Sequence, residues 1–210
     1  MKVVVYGATG KAGNRILAEL LRRGHAVVAV SRHPESLAGR PGITPVADDL
    51  SNVDKIASII RGSDAVVSAY APPVEDTDQL IGATDHLVQA IAKNGGPRLI
   101  VVGGAGSLFV APGVTLLDSG HLPAEWIPIV KSHAAVLNNL RRSSIDWTYF
   151  SPAAFFEPGE RTGKFRLGKD DLISDDNGVS RISMEDYAIA LVDELEQPQH
   201  AGGQRFTIGY

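Results

Sequence analysis

The sequence predicts an α/β domain in which helices cover both faces of a mostly parallel sheet. Three observations carry this. Short β-branched runs alternate with segments of helical apolar spacing from Lys2 to Phe150. Those runs are apolar almost throughout rather than every second residue, so the strands are expected to be buried on both sides. The first run ends at a glycine-punctuated turn that feeds directly into a helical pattern.

In order, Lys2–Tyr6 reads as a strand that stops at Gly7. Asn14–Arg23 reads as a helix, with Ile16, Leu17, Leu20 and Leu21 on one face and Gly24 as its stop. Ala26–Val30 is a second strand and Ile43–Val46 a short third. Val53–Ile60 is a helix capped by Ser51 or Asn52. Ala65–Ser68 is a fourth strand. Leu80–Lys93 is a helix closed by Asn94-Gly95, a pair suited to a left-handed terminus. Leu99–Val102 is a fifth strand, Ile127–Arg142 a long helix and Trp147–Phe150 a sixth strand. Beyond Ser151 the pattern breaks. Pro152–Asp176 is rich in glycine, proline and charge, without a long periodic segment. Ser183 then caps a helix to about Glu196, and Arg205–Ile208 is a last strand. Right-handed βαβ crossovers follow from such an order. We read one domain over residues 1–210, a doubly wound parallel sheet with a small C-terminal substrate-side excursion at about 151–182.

Composition narrows the function. The chain has no cysteine, which removes disulfides, thiolate metal sites and cysteine nucleophiles. Its net charge of -4 is spread along the chain. No basic run points to a nucleic-acid or membrane surface. Met1-Lys2 leads straight into a buried strand, so no leader is expected. No apolar stretch approaches the ~20 residues of a membrane helix. The expectation is a cytoplasmic globular protein. No histidine spacing suggests a metal site, and a Gly-x-Ser-x-Gly elbow is absent.

Gly7-Ala8-Thr9-Gly10-Lys11-Ala12-Gly13 lies at the first strand-to-helix junction, the context that gives a glycine triplet its meaning. Gly7 makes the tight turn, Gly10 lets the backbone approach a pyrophosphate, and Gly13 lets the helix pack close to the sheet. The helix N-terminus adds free N–H groups and a partial positive charge. This is the dinucleotide fingerprint of a Rossmann-type domain. At the end of the second strand, Ser31-Arg32-His33 stands where a carboxylate would bind the ribose of NAD. Arg32 can instead bind a 2′-phosphate through charge-assisted bonds, and Ser31 can add a hydroxyl. NADP(H) is therefore expected as the preferred cofactor, with NAD(H) the alternative. Asp49 is placed at the adenine amino group and Leu50 over the ring. Ala69, Tyr70 and Ala71, after the fourth strand, leave room for a dinucleotide along the backbone. Ser151-Pro152-Ala153 should flank the nicotinamide, with Gly103 and Gly104 beyond the fifth strand. Phe155, Phe156 and Tyr70 are candidates to stack on a flat acceptor.

The motifs Gly-Ala-Thr-Gly-Lys-Ala-Gly (Gly7–Gly13), Ala-Asp-Asp-Leu (Ala47–Leu50) and Ile-Asp-Trp-Thr-Tyr-Phe-Ser-Pro-Ala (Ile145–Ala153) resemble the atypical short-chain dehydrogenases/reductases. Within that superfamily the chain is similar to the NmrA-like and NADH-flavin reductase group, which includes biliverdin reductase B. The likeness runs on through Ile182–Ala188 and Phe206–Ile208. One departure is informative. Typical members carry Tyr-x-x-x-Lys on the long helix after strand five, the tyrosine donating a proton. Here no tyrosine has a lysine four positions on, and Lys131 has Ile127 at that spacing. Glycine also stands where a serine would end strand five.

Hydride transfer to a carbonyl needs an acid for the growing alkoxide. A flavin or quinone spreads the charge over its rings and can take the proton from solvent. The expected activity is therefore an NAD(P)H-dependent oxidoreductase acting on flavins or quinone-like planar acceptors, with flavin a substrate and not a bound cofactor. The resemblance assigns His133 as a proton relay. Ser107 is the other catalytic candidate, and Lys131 a rival near the nicotinamide ribose. Two alternatives stay open: a non-catalytic NADP(H)-binding sensor, and an epimerase- or dehydratase-like enzyme using Tyr70 or Tyr149. The chain is expected as a monomer or a homodimer through its long helices.

Overall fold

The computed structural model describes residues 1–93 and 95–210. The strands are β1 (Lys2–Tyr6), β2 (Ala26–Ser31), β3 (Ile43–Ala47), β4 (Ala65–Ser68), β5 (Arg98–Val102), β6 (Phe109–Ala111), β7 (Val114–Thr115), β8 (Trp147–Ser151), β9 (Phe155–Glu157), β10 (Arg166–Gly168), β11 (Arg181–Ser183) and β12 (Gln204–Gly209). The helices are α1 (Lys11–Arg22), α2 (Val53–Ile60), α3 (Gln79–Lys93), α4 (Ile127–Arg142) and α5 (Met184–Glu196). Asn94, part of the expected stop of α3, lies outside the described residues.

The main sheet runs β10-β12-β8-β5-β4-β1-β2-β3. All its pairings are parallel except that of β10 with β12. From β1 the chain first moves outward through β2 and β3, then returns to β4 and proceeds the other way. The order thus reverses between β1 and β4, and a crevice opens at their carboxyl ends. That is where doubly wound folds hold ligands.

The period-2 alternation of side chains divides the core. Val3 and Val5 join Ile16, Leu17 and Leu20 of α1 and Tyr187 and Leu191 of α5. Val4 and Tyr6 face the opposite layer, with Ile56 of α2, Leu87 of α3 and Val136 of α4. Each such aliphatic side chain contributes about 1.5–3 kcal/mol when fully buried. The helix signals also hold in detail. Asn52 caps α2 by accepting from the N–H groups of Asp54 and Lys55. Ser183 caps α5 by accepting from Asp186 N–H.

Three short features lie outside the expected alternation. Residues 152–176, which showed no periodicity, contain β9 and the antiparallel edge strand β10. β9 pairs in parallel with β11, and β6 pairs with β7 as a small hairpin. These strands have two or three residues each. Runs that short carry no readable period.

Candidate functional site

The crevice begins with the turn after β1. Gly7 has φ +73°, and a Cβ there would stand 2.3 Å from the Ala69 carbonyl oxygen. At Gly13 a Cβ would stand 2.1 Å from the Gly7 carbonyl oxygen. These two contacts bring the ends of β1 and β4 and the start of α1 into one compact corner. Gly10 occupies the N-cap of α1 in extended conformation and offers no side-chain cap. The first-turn N–H groups of a 12-residue helix therefore point outward from the corner. Exposed Thr9 and Lys11 and half-buried Ala12 border them.

Beside this corner lies a cleft of ≈ 150 Å³, lined by Gly7, Thr9 and Gly10, by Ser31 and Arg32, by Asp48–Leu50 and by Ala69–Ala71. Every adenosine-side residue expected from the sequence thus meets in one cleft. Arg32 is exposed, and no carboxylate pairs with it among the described residues. Asp49 has one carboxylate oxygen engaged by Ser51, through its N–H (3.0 Å) and hydroxyl (2.6 Å). Those bonds hold its pKa below the usual carboxylate value. Tyr70 is half-buried, which raises its phenol pKa, and its hydroxyl lies 3.4 Å from Gln79 Oε1.

The carboxyl edge of the sheet carries polar atoms that the fold leaves unpaired, three of them (on Tyr6, Ser31 and Asp48) in this cleft and the fourth on Ser151 at the end of β8. Among the described residues, Tyr6 Oη, Ser31 Oγ and Ser151 Oγ are buried with no hydrogen-bond partner. Asp48 Oδ1 meets only the Lys55 ammonium, at 3.2 Å, without a hydrogen bond. All four stand at or just beyond the carboxyl ends of β1, β2, β8 and β3. A buried hydroxyl without a partner costs about 1–3 kcal/mol, so a cluster of them marks a surface shaped for a polar ligand. The donor set fits a dinucleotide: helix N–H groups for the pyrophosphate, Arg32 and Ser31 for a ribose phosphate, and small alanines along the path. Tyr6 and Asp48 were not assigned from sequence. The signal was available, since each sits at the carboxyl end of a buried strand.

The acceptor side is organised differently. After β5 the loop Gly103–Gly106 lies flat against Tyr149 of β8 and against Val130 and His133 of α4. Tyr149 is buried. Its hydroxyl accepts from Gly104 N–H (3.0 Å), donates to the His133 carbonyl (3.1 Å) and lies 3.3 Å from His133 Nδ1. Burial pushes the Tyr149 phenol well above its ordinary value. Burial also lowers His133 to about 4, so its imidazole is neutral at physiological pH.

Three expected positions meet particular surroundings in the fold. Ser107 is half-buried. Its hydroxyl accepts from Arg205 Nη1 (3.2 Å), and Arg205 pairs with Asp170, so a buried guanidinium draws this serine into a structural network. Lys131 is exposed on the solvent side of α4. Two residues along a helix stand about 200° apart, so the rotation that aims His133 at Gly104 turns Lys131 away. Phe156 packs into the core against Tyr187, with ring centroids 4.7 Å apart. Phe155, its neighbour on the strand, is 49% exposed on the opposite face.

Phe155 instead walls a cavity of ≈ 620 Å³. Val179 and Ile182 continue its apolar wall, and Lys164, Arg181 and Tyr210 add polar groups. Tyr210 Oη donates to Asp186 Oδ2 (2.8 Å) and also lies 2.9 Å from Ser183 Oγ. The cavity falls in the ~300–1,000 Å³ range of small-molecule sites. Phe155 lies just past Ser151, Pro152 and Ala153, all buried at the end of β8. No local motif announces this cavity, because its lining comes from residues between Phe155 and Tyr210 that meet only in the fold.

Comparison with known proteins agrees with this geometry. A family of NAD(P)H-binding proteins matches residues 7–195. The chain is 40% identical over 212 residues to the uncharacterised protein YwnB of Bacillus subtilis, covering 99% of this chain and 98% of that protein. A solved structure from Bacteroides thetaiotaomicron, named for a suggested epimerase activity, superposes with TM-score 0.92 at 46% identity, covering 100% of this chain and 96% of that one. Another, from Streptococcus pneumoniae and named for a suggested NADH-flavin reductase activity, superposes with TM-score 0.90 at 34% identity, covering 100% and 99%.

Proposed function

The chain belongs to the NAD(P)H-binding family, and from that premise we propose that it is a reductase of flavins or quinone-like acceptors that prefers NADPH. When bound, the reduced nicotinamide supplies the hydride. The turn Gly7–Gly13 and the N-terminus of α1 hold the pyrophosphate. Ser31 and Arg32 take the 2′-phosphate. Leu50 covers the adenine, with Asp49 and Tyr70 at its rim. Ser151, Pro152 and Ala153 flank the nicotinamide, and Phe155 offers an aromatic wall to a planar acceptor.

One observation carries the choice of acceptor: the phenol nearest the expected acid position is sealed. Tyr149 is buried, with its hydroxyl already bonded to Gly104 and His133. Tyr70 lies on the adenosine side, beside Arg32. Neither supports protonation of an alkoxide, which argues against carbonyl reduction and against epimerase or dehydratase chemistry. Reduction of a flavin or quinone adds one hydride and one proton, and the delocalised product can take that proton from water. Burial lowers His133 to about 4, so at physiological pH it is neutral and holds no imidazolium proton to give.

A second reading has its own observation. The β6–β7 hairpin exposes Phe109, Val110 and Val114 (36%, 43% and 37%). An exposed apolar patch suits a nucleotide-responsive binding protein. Loss of NADPH absorbance with riboflavin, FMN or a quinone separates the two. Turnover above background, faster with NADPH than NADH, is the expected result. Tight NADPH binding without turnover on any of these acceptors would move the assignment to the sensor.

A further inference from the structure

Leu50 is the one non-glycine residue with positive φ among the described residues, at +64°. Leucine in this region crowds its Cβ against the carbonyl oxygen, and such strain persists only where the surroundings enforce it. Leu50 is 4% exposed and lines the adenosine cleft. Two bonds hold its backbone. Its N–H donates to Asp48 Oδ2 at 3.3 Å, within the same turn. Its carbonyl accepts from His86 Nδ1 at 2.7 Å, from the middle of α3. Because a carbonyl can only accept, Nδ1 carries the proton.

We infer that His86 is a positioning residue for the adenosine half of the cofactor: it anchors Leu50 in its strained conformation and so fixes the wall on which the adenine lies. His86 is not among the residues lining the cleft, so it acts through Leu50. Of its two bonds, the Asp48 contact is long and local. The short bond to His86 is the one that ties the turn to a rigid helix packed on the sheet. Without it, the Asp48–Leu50 turn is free to relax toward an unstrained backbone and take the wall with it. This rests on the reading of the cleft as the adenosine site.

The test uses adenosine 2′,5′-bisphosphate, which carries only the adenosine half, alongside NADPH and reduced nicotinamide mononucleotide. In His86→Ala, affinity for the bisphosphate and for NADPH should fall about tenfold, the loss of one good hydrogen bond. Turnover with the mononucleotide should not change. His86→Asn places an amide N–H where Nδ1 stands and should restore binding. His86→Gln places it where Nε2 stands and should not. The Asn and Gln pair reads the geometry even if the alanine variant folds poorly. Equal affinities in Asn and Gln variants, or parallel losses for all three ligands, would overturn the role of His86. Failure of the unaltered protein to bind the bisphosphate would instead overturn the adenosine cleft itself.

Discussion

The two halves of the crevice are built on opposite principles. On the adenosine side the backbone does the shaping, through Gly7, Gly13 and the strained Leu50, and buried hydroxyls of Tyr6 and Ser31 are left without partners. Towards the end of β8 several polar groups satisfy one another, Gly104 with Tyr149, Tyr149 with His133, Arg205 with Ser107 and Tyr210 with Asp186, while Ser151 Oγ alone among these is left without a partner. The first half is a mould waiting for specific atoms. The second offers a larger cavity with an apolar wall at Phe155, Val179 and Ile182 and polar groups from Lys164, Arg181 and Tyr210.

The largest expected effect breaks the mould. Gly13→Ala puts a methyl 2.1 Å from the Gly7 carbonyl oxygen. It should cost about 3 kcal/mol of stability in urea denaturation and abolish NADPH binding, since α1 cannot shift without moving its N-terminus. Next, Arg32→Ala should weaken NADPH by roughly 10- to 100-fold and leave NADH unchanged, by titration of each. An unchanged ratio would remove the 2′-phosphate from this site. On the other half, Phe155→Ala should raise the acceptor KM by up to about tenfold, as expected for a stacking contact, with NADPH affinity unaffected.

A further effect is one of pH. His133 titrates at about 4 in the fold. In the unfolded chain it titrates near ~6.5. The unfolded state therefore takes up the proton first, and stability present above ~6.5 is lost as pH falls towards ~4. Thermal melts across that window should show a shallower fall in His133→Gln. An unchanged slope would mean that His133 is more solvated than its place beside Gly104 implies.

What could be read from sequence follows the same division. The glycine turn, Arg32 and the Asp49–Leu50 pair are short, contiguous and tied to strand ends, so periodicity and punctuation located them. The surroundings of Ser107 and Lys131 were not legible, because they depend on distant partners. Arg205 lies 98 residues beyond Ser107 in sequence. The rotation of α4 that exposes Lys131 is set by packing of Val136, Leu137 and Leu140. Phe155 and Phe156 are adjacent, and only the pairing of β9 with β11 decides which one meets the core. The cavity that Phe155 walls has no sequence signature at all.

Hydride transfer to a planar acceptor without a side-chain acid can be followed by anaerobic single-turnover reduction of riboflavin by NADPH carrying deuterium at the transferred position, across pH roughly 6–8. A slower rate with deuterium, no pH dependence in that range, and the same behaviour in His133→Gln are expected. A sigmoidal profile that disappears in His133→Gln would contradict this, as would tight NADPH binding with no flavin reduction.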